Sequence, residues 1–216
     1  MTAAPDTDVI VIAKEPVPGR VKTRLTSAYT PAEAAALAEA SLRDTLDAVA
    51  AAPAGRRILA LAGTPGPWLP GGFTVIAQRG GGLDERLAAA FDDAWRGRPL
   101  LLIGMDTPQV TPALLHRAAG ELDRRGAVFG PARDGGFWLL GLRRPDPRLL
   151  RGVPMSAPDT GAVALARLRA AGLDVATLPE LTDVDTPADA AAVAAIAQGG
   201  RFAAALRALG PRNVPA

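Results

Sequence analysis

Short, continuously apolar runs alternate with longer amphipathic stretches along this chain. Residues 9–13 (VIVIA) are apolar throughout and rich in β-branched side chains, the pattern of a strand buried on both faces. Residues 58–62 (ILALA), 73–77 (FTVIA) and 100–103 (LLLI) repeat it, and 127–129, 137–142 and 174–178 read as further strands. Between them lie helical patterns. Thr30, Pro31 and Glu33 supply an N-cap, a first-turn proline and the acid of a capping box, so a helix is predicted from there to about Ala52. Helices are also predicted over 83–95, from the Thr111-Pro112 start to Arg125, over 160–171, from Thr186, and near Arg201. Strands alternating with helices predict one α/β domain, a three-layer α/β/α sandwich around a mixed, mostly parallel sheet. The Gly/Pro-rich stretch 63–72 is expected as a surface loop. The domain is expected to fill residues 1–209, with 210–216 (GPRNVPA) as a loose tail.

Composition narrows the chemistry. With 216 residues, 49% hydrophobic and 21% charged, the chain has the make-up of one packed domain. It has no cysteine, which excludes thiolate metal sites and thiol nucleophiles, and its single histidine, His116, reads as a helix surface residue. A net charge of +2 is too balanced for a protein that lives on nucleic acid, and 4% aromatic residues are too few for a stacking platform. The longest apolar runs fall short of a membrane span and the opening MTAAPDTD carries no signal-like pattern, so a cytoplasmic protein with no membrane partner is expected. Trp95 and Trp138 read as packing residues.

Ligands of open α/β sheets bind at the carboxyl ends of strands, and three polar clusters fall there. The first, Lys14-Glu15-Pro16-Val17-Pro18-Gly19-Arg20-Val21-Lys22-Thr23-Arg24, follows the first strand and is neither a P-loop nor a dinucleotide fingerprint. It holds four cations, with Gly19 and two prolines shaping the backbone; such a loop can hold a polyphosphate, the alternative being a solvated basic loop. The chain's two lysines, Lys14 and Lys22, both stand in it among an arginine-rich remainder; scattered over the 24 basic positions they would coincide there about 2% of the time, and the two residue types are not interchangeable at a phosphate. The second cluster, Gly104-Met105-Asp106-Thr107-Pro108, caps LLLI and places a carboxylate where Mg²⁺ would meet phosphate oxygens. In the third, Asp183-Val184-Asp185-Thr186-Pro187-Ala188-Asp189, the last four residues make a helix start. Asp183 and Asp185 remain, one residue apart in extended chain and therefore facing alike. Gly80-Gly81-Gly82-Leu83-Asp84-Glu85-Arg86 offers close backbone approach, and Asp134-Gly135 lies in a stretch that reads equally as a hairpin turn.

Together KEPVPGRVKTRL, GGLDERLAAAF, LLIGMDTPQV, GPARDGGFWLLGL and LTDVDTPADA resemble the bacterial DUF2064 family, often labelled glycosyltransferases, within the nucleotide-diphospho-sugar transferase (GT-A) superfamily. A more distant similarity links K-T-R-L, the strand-end Asp-x-Pro and D-V-D-T-P-A-D to the guanylyltransferases of coenzyme F420 biosynthesis. The resemblance implies that Lys14, Arg20, Lys22 and Arg24, with Gly19 and Thr23 of the same loop, meet the nucleotide's phosphates. It implies that Asp106 and Asp185 hold Mg²⁺, with Mn²⁺ as the alternative and Asp183 nearby, and that Gly81, Gly82 and Arg86 border the nucleotide. Asp134, Gly135 and Gly136 would face the acceptor. Family members often carry a tryptophan before a Ser-Thr-Pro segment where this chain has Met155-Ser156-Ala157-Pro158.

The leading expectation is an Mg²⁺-dependent nucleotidyltransferase in which Lys22 and Asp106 carry the chemistry. A phosphorylated acceptor attacks the α-phosphate of an NTP and pyrophosphate leaves; an anionic acceptor needs no general base. The alternative is a glycosyltransferase on a nucleotide sugar, with Asp134 as its base. A second alternative, of another class, is a nucleotide-sensing module without catalysis. The Ala-rich helices leave room for a homodimer.

Overall fold

A computed structural model describes residues 7–210; the expected tail beyond Gly210 lies outside them. The elements follow in the order β1 (Asp8–Lys14), α1 (Pro31–Ala51), β2 (Arg57–Ala62), β3 (Phe73–Ala77), α2 (Leu83–Ala94), β4 (Leu100–Gly104), α3 (Pro112–Arg124), β5 (Ala127–Pro131), β6 (Phe137–Leu142), α4 (Thr160–Ala170), β7 (Val175–Thr177), α5 (Pro187–Ile196) and α6 (Arg201–Leu209). Two 3₁₀ turns, Thr23–Ser27 and Pro147–Leu149, were not anticipated. The strands form one sheet in the order β3-β2-β1-β4-β6-β5-β7. Every pairing is parallel except those of β6, which runs against both β4 and β5.

The runs of β1, β2 and β4 are apolar throughout because both faces are covered, whereas β3, expected to match them, is the edge strand and leaves Thr74 and Val75 exposed. Alternate residues serve two cores. Val9, Val11, Leu59, Leu61, Leu101 and Ile103 pack under Leu42 and Leu46 of α1 and Leu115 and Leu122 of α3. Ile10, Ile58, Leu100 and Leu102 pack under Leu87 and Phe91 of α2 and Leu168 of α4. That is the expected three-layer sandwich. A third cluster, from Leu25 and Leu37 to Val184, Val193 and Phe202, seats α5 and α6 on the outer side of α1.

Local signals set the helix starts. Thr30 accepts from Glu33 N at 3.2 Å while Glu33 Oε2 takes the Thr30 N–H at 2.8 Å, completing the box read from the sequence. Two tryptophans depart from expectation. Trp95 ends α2 with 40% of its surface exposed, so it is not a packing residue. Trp68, inside the loop expected to lie on the surface, is buried in the core and anchors that loop. His116 is exposed on α3, as expected.

Asp8 opens β1 fully buried, accepting from Arg56 N at 2.7 Å, Nε at 2.9 Å and Nη2 at 2.6 Å. Removing one member of a buried pair strands the other, but Arg56 is partly exposed and can turn to water. Asp8→Ala is therefore expected to cost about 2–4 kcal/mol, read as a lower midpoint in urea unfolding. An unchanged midpoint would show the pair to be idle.

Candidate active site

The polar clusters meet at one edge of the sheet, around a cavity of about 530 Å³. β1 delivers Lys14 and β4 delivers Asp106 from their carboxyl ends. Because β6 runs antiparallel, its beginning lies at that same edge, which brings Asp134, Gly136 and Phe137 to the cavity. The segment after β7 is drawn in by backbone bonds: Val184 N donates to Asp106 O at 2.9 Å, Arg133 N to Leu181 O at 2.9 Å, and Leu181 N to Pro131 O at 3.1 Å. Gln109 adds Nε2 to Thr182 O at 2.7 Å, a tether that the sequence reading did not single out. With Val184 buried beneath, Asp183 and Asp185 both face the cavity, as their spacing predicted.

Lys22 is the hub. It has φ +48°, a left-handed conformation rare outside glycine, and caps the 3₁₀ turn Thr23–Ser27. The turn points its nearly buried side chain between two acids, with Nζ 2.8 Å from Asp106 Oδ1 and 3.0 Å from Asp185 Oδ1. Burial by itself would lower the ammonium pKa, but the two carboxylates more than offset this and hold it above its ordinary value. Arg24 Nη1 reaches the other Asp185 oxygen at 3.0 Å. The only other described non-glycine residue with positive φ, Ser156 at +59°, also lines the cavity. Strained backbone of this kind persists where the surroundings enforce it, and functional sites are where it gathers.

Asp183 is the most perturbed group. Burial first, and then the charges of Asp106 and Asp134, push its carboxyl up to about 8 against the pull of Lys22. Its Oδ1 is buried with no hydrogen-bond partner. Four aspartates, Asp106, Asp134, Asp183 and Asp185, therefore line the cavity, and two of them, Asp106 and Asp185, already converge on the Lys22 ammonium. Among the described residues no three acids or histidines stand assembled as a closed metal cage. The donor set still fits a hard divalent ion that takes one or two carboxylates and completes its shell with phosphate and water. Asp189, by contrast, is spent in the α5 capping box with Thr186.

Of the remaining expected residues, Arg20, Thr23, Arg24 and Arg86 reach the cavity wall. Gly19, Gly81 and Gly82 do not. Gly81 turns the chain with φ +102°, and Gly82 starts α2 with its N–H on Glu85 Oε2 at 2.9 Å, so these glycines shape the entry to the helix. Residues 134–136 form the hairpin turn, and Asp134 and Gly136, though not Gly135, line the cavity. Asp134 Oδ1 accepts from Gly136 N at 2.8 Å, a side-chain-closed turn between β5 and β6, and that turn forms cavity wall. Trp138 is buried, donates Nε1 to Pro179 O at 3.1 Å, and is also part of the wall. Gln78 and Thr160 line the cavity without having been singled out; only their proximity to the motifs could have flagged them.

The start of α4 locks the turn. Gly161 N donates to Gly135 O at 2.7 Å, and a Cβ at Gly161 would lie 2.5 Å from Gly136 O. Gly161→Ala must displace backbone, so a loss of about 1–3 kcal/mol in unfolding free energy is expected from urea titration. A midpoint equal to the parent's would mean that the turn relaxes without cost.

Comparison with known proteins identifies the family and the kind of enzyme. The family model described as "Uncharacterized protein conserved in bacteria (DUF2064)" matches residues 25–157. The chain belongs to the DUF2064 family. Among the DUF2064 chain's relatives is a 3-phospho-D-glycerate guanylyltransferase of Phenylobacterium zucineum (strain HLK1), 37% identical over 205 residues that cover 86% of this chain and 89% of that protein. A Desulfovibrio desulfuricans G20 structure assigned to the nucleotide-diphospho-sugar transferases superposes with a TM-score of 0.83 at 28% identity, covering 94% of each chain. Rv0371c of Mycobacterium tuberculosis H37Rv, solved in complex with manganese, shares the fold at a TM-score of 0.53 and 22% identity, over 88% of this chain and 98% of that one. The guanylyltransferase relative bears out the expectation that this DUF2064 protein is a nucleotidyltransferase. Among its described residues no helix is long and apolar enough to cross a membrane.

Proposed function

We propose that this DUF2064 protein transfers a nucleoside monophosphate, by preference guanylyl, from its triphosphate to a small phosphorylated carboxylic acid of the 3-phosphoglycerate type. The observation that carries the reading is the meeting of the Lys14–Arg24 cations with Asp106 and Asp185 at one sheet edge, through Lys22. Lys14, Arg20 and Arg24 bind and orient the triphosphate chain. An oxygen of the acceptor's phosphate attacks the α-phosphorus in line; the bond from that phosphorus to the oxygen bridging to the β-phosphate breaks, and pyrophosphate departs. The product is a phosphoanhydride, and no proton need be removed from the attacking oxygen. Lys22 neutralises charge that builds on the α-phosphate and its leaving group. Asp106 and Asp185, with Asp183 behind them, would hold Mg²⁺, which when bound neutralises phosphate charge. Asp134, on its fixed turn, bounds the acceptor side.

Mixing the protein with each of the four NTPs, 3-phosphoglycerate and Mg²⁺ should release pyrophosphate and yield a product heavier than the acceptor by one nucleotidyl group. Absence of pyrophosphate with every NTP, together with turnover of a nucleotide sugar, would replace this reading by glycosyl transfer. Metal-indifferent binding without turnover would point to the sensing module.

A further inference from the structure

The cavity has two chemically different ends. One is the ionic cluster of Lys22 and the four aspartates. The other lies toward β3 and α2, where Arg86 of α2 meets Gln78 just beyond β3, with Ile12, Leu83 and Leu87 among the apolar residues that line the cavity. A guanidinium has five N–H donors. In Arg86 the protein engages Nη1 with Gln78 Oε1 at 3.3 Å; Nε is buried without an acceptor, and among the described residues no carboxylate pairs with it. Lys22 and Arg24, by contrast, have Asp106 and Asp185.

Gln78 is itself fixed. Its Nε2 donates to Ala13 O at 2.7 Å and Ala60 O at 2.9 Å, while its backbone N donates to Leu61 O at 3.0 Å. With both amide hydrogens committed to the ends of β1 and β2, Oε1 is left to orient Arg86. Asp106 hangs from β4, on the other side of β1. At ~4.8 Å per strand spacing the two ends stand on the order of 10 Å apart, about the span from a nucleotide's α-phosphate to its base.

We propose that Arg86, oriented by Gln78, reads the nucleotide base and selects guanine over adenine. The inference rests on the nucleotidyltransferase reading and assigns its base selectivity to one side chain. A guanidinium fork matches the two acceptors O6 and N7 of guanine; adenine keeps N7 but presents an amino donor beside it, so donor would face donor. The apolar walls accept the faces of the ring. The triphosphate has its own cations in Lys14, Arg20, Lys22 and Arg24 and does not need Arg86.

Equilibrium binding to the full chain with Mg²⁺, using GTP, ITP, ATP, 7-deaza-GTP and inorganic tripolyphosphate, tests this. ITP, which keeps O6 and N7, should bind within a few-fold of GTP. ATP and 7-deaza-GTP should each bind about ten- to a hundredfold more weakly. Arg86→Gln, which offers the donor–acceptor pair that suits adenine, should move the preference toward ATP and leave tripolyphosphate affinity unchanged. ATP or 7-deaza-GTP binding as tightly as GTP to the parent protein overturns the assignment without needing any variant. So does an Arg86→Gln protein that loses tripolyphosphate affinity as much as GTP affinity, because Arg86 then serves the phosphates. If the parent binds neither tripolyphosphate nor any NTP, the nucleotidyltransferase reading itself has failed, and this inference with it.

Discussion

Replacing Lys22 by alanine is expected to lower kcat by ~10²- to 10³-fold, the usual cost of removing one charge contact made in a transition state. The same change should tighten the apparent affinity for the divalent metal. Lys22 places an ammonium between Asp106 and Asp185, where it neutralises the same oxygens that a metal would use. Without it Asp106 and Asp185 lose the charge that compensates them, which favours a cation in its place. The check is a metal titration of initial rates for parent and variant. A fall in kcat with tighter metal binding supports the role; kcat within a few-fold of the parent removes Lys22 from the chemistry. Because Lys22 also holds a left-handed backbone position, circular dichroism and a urea midpoint should accompany the rates.

Asp106→Asn should raise the metal concentration needed for half-maximal rate by at least about tenfold, with turnover falling by a comparable factor or more. Asparagine keeps the shape, and the backbone bond from Val184 N to Asp106 O does not involve the side chain, so the segment carrying Asp183 and Asp185 should stay in place. The substitution removes one negative charge from the cluster and weakens the partner of Lys22. An unchanged metal titration would falsify the assignment of Asp106 to the metal. Mn²⁺ and Mg²⁺ titrated side by side also show which of the two the protein uses.

Much of this site could be read before any fold was known, for local physical reasons. The runs of β1, β2 and β4 are apolar because both faces are covered, so the ends of these strands, and the polar clusters beyond β1 and β4, are marked in the sequence. Thr30, Thr111 and Thr186 cap helices through their own side chains, and such caps depend on only a few neighbouring residues. Asp183 and Asp185 face alike because extended chain repeats every two residues. The glycines misled for the same local reason. Gly81 and Gly82 serve the turn into α2, and the sequence does not distinguish a glycine that turns the chain from one that admits a ligand. Trp95 misled in another way, since an apolar side chain at a helix end carries no mark of whether anything packs over it.

Propensity, capping and apolar periodicity act over a few residues at a time, so the helices and strands, the α/β class and the charged clusters at strand ends are legible in the amino-acid order. Which charges meet is a matter of the fold. That Lys22 pairs with Asp106 and Asp185, more than eighty and one hundred and sixty positions away, follows from β1 and β4 lying side by side and from the Val184 N–H binding Asp106 O. The antiparallel β6, which brings Asp134 to the same edge, and the Gln78 side chain that holds Arg86 across the ends of β1 and β2 likewise depend on strand order. Strand order is settled by how whole layers bury their apolar faces, a global balance that no short window of sequence contains.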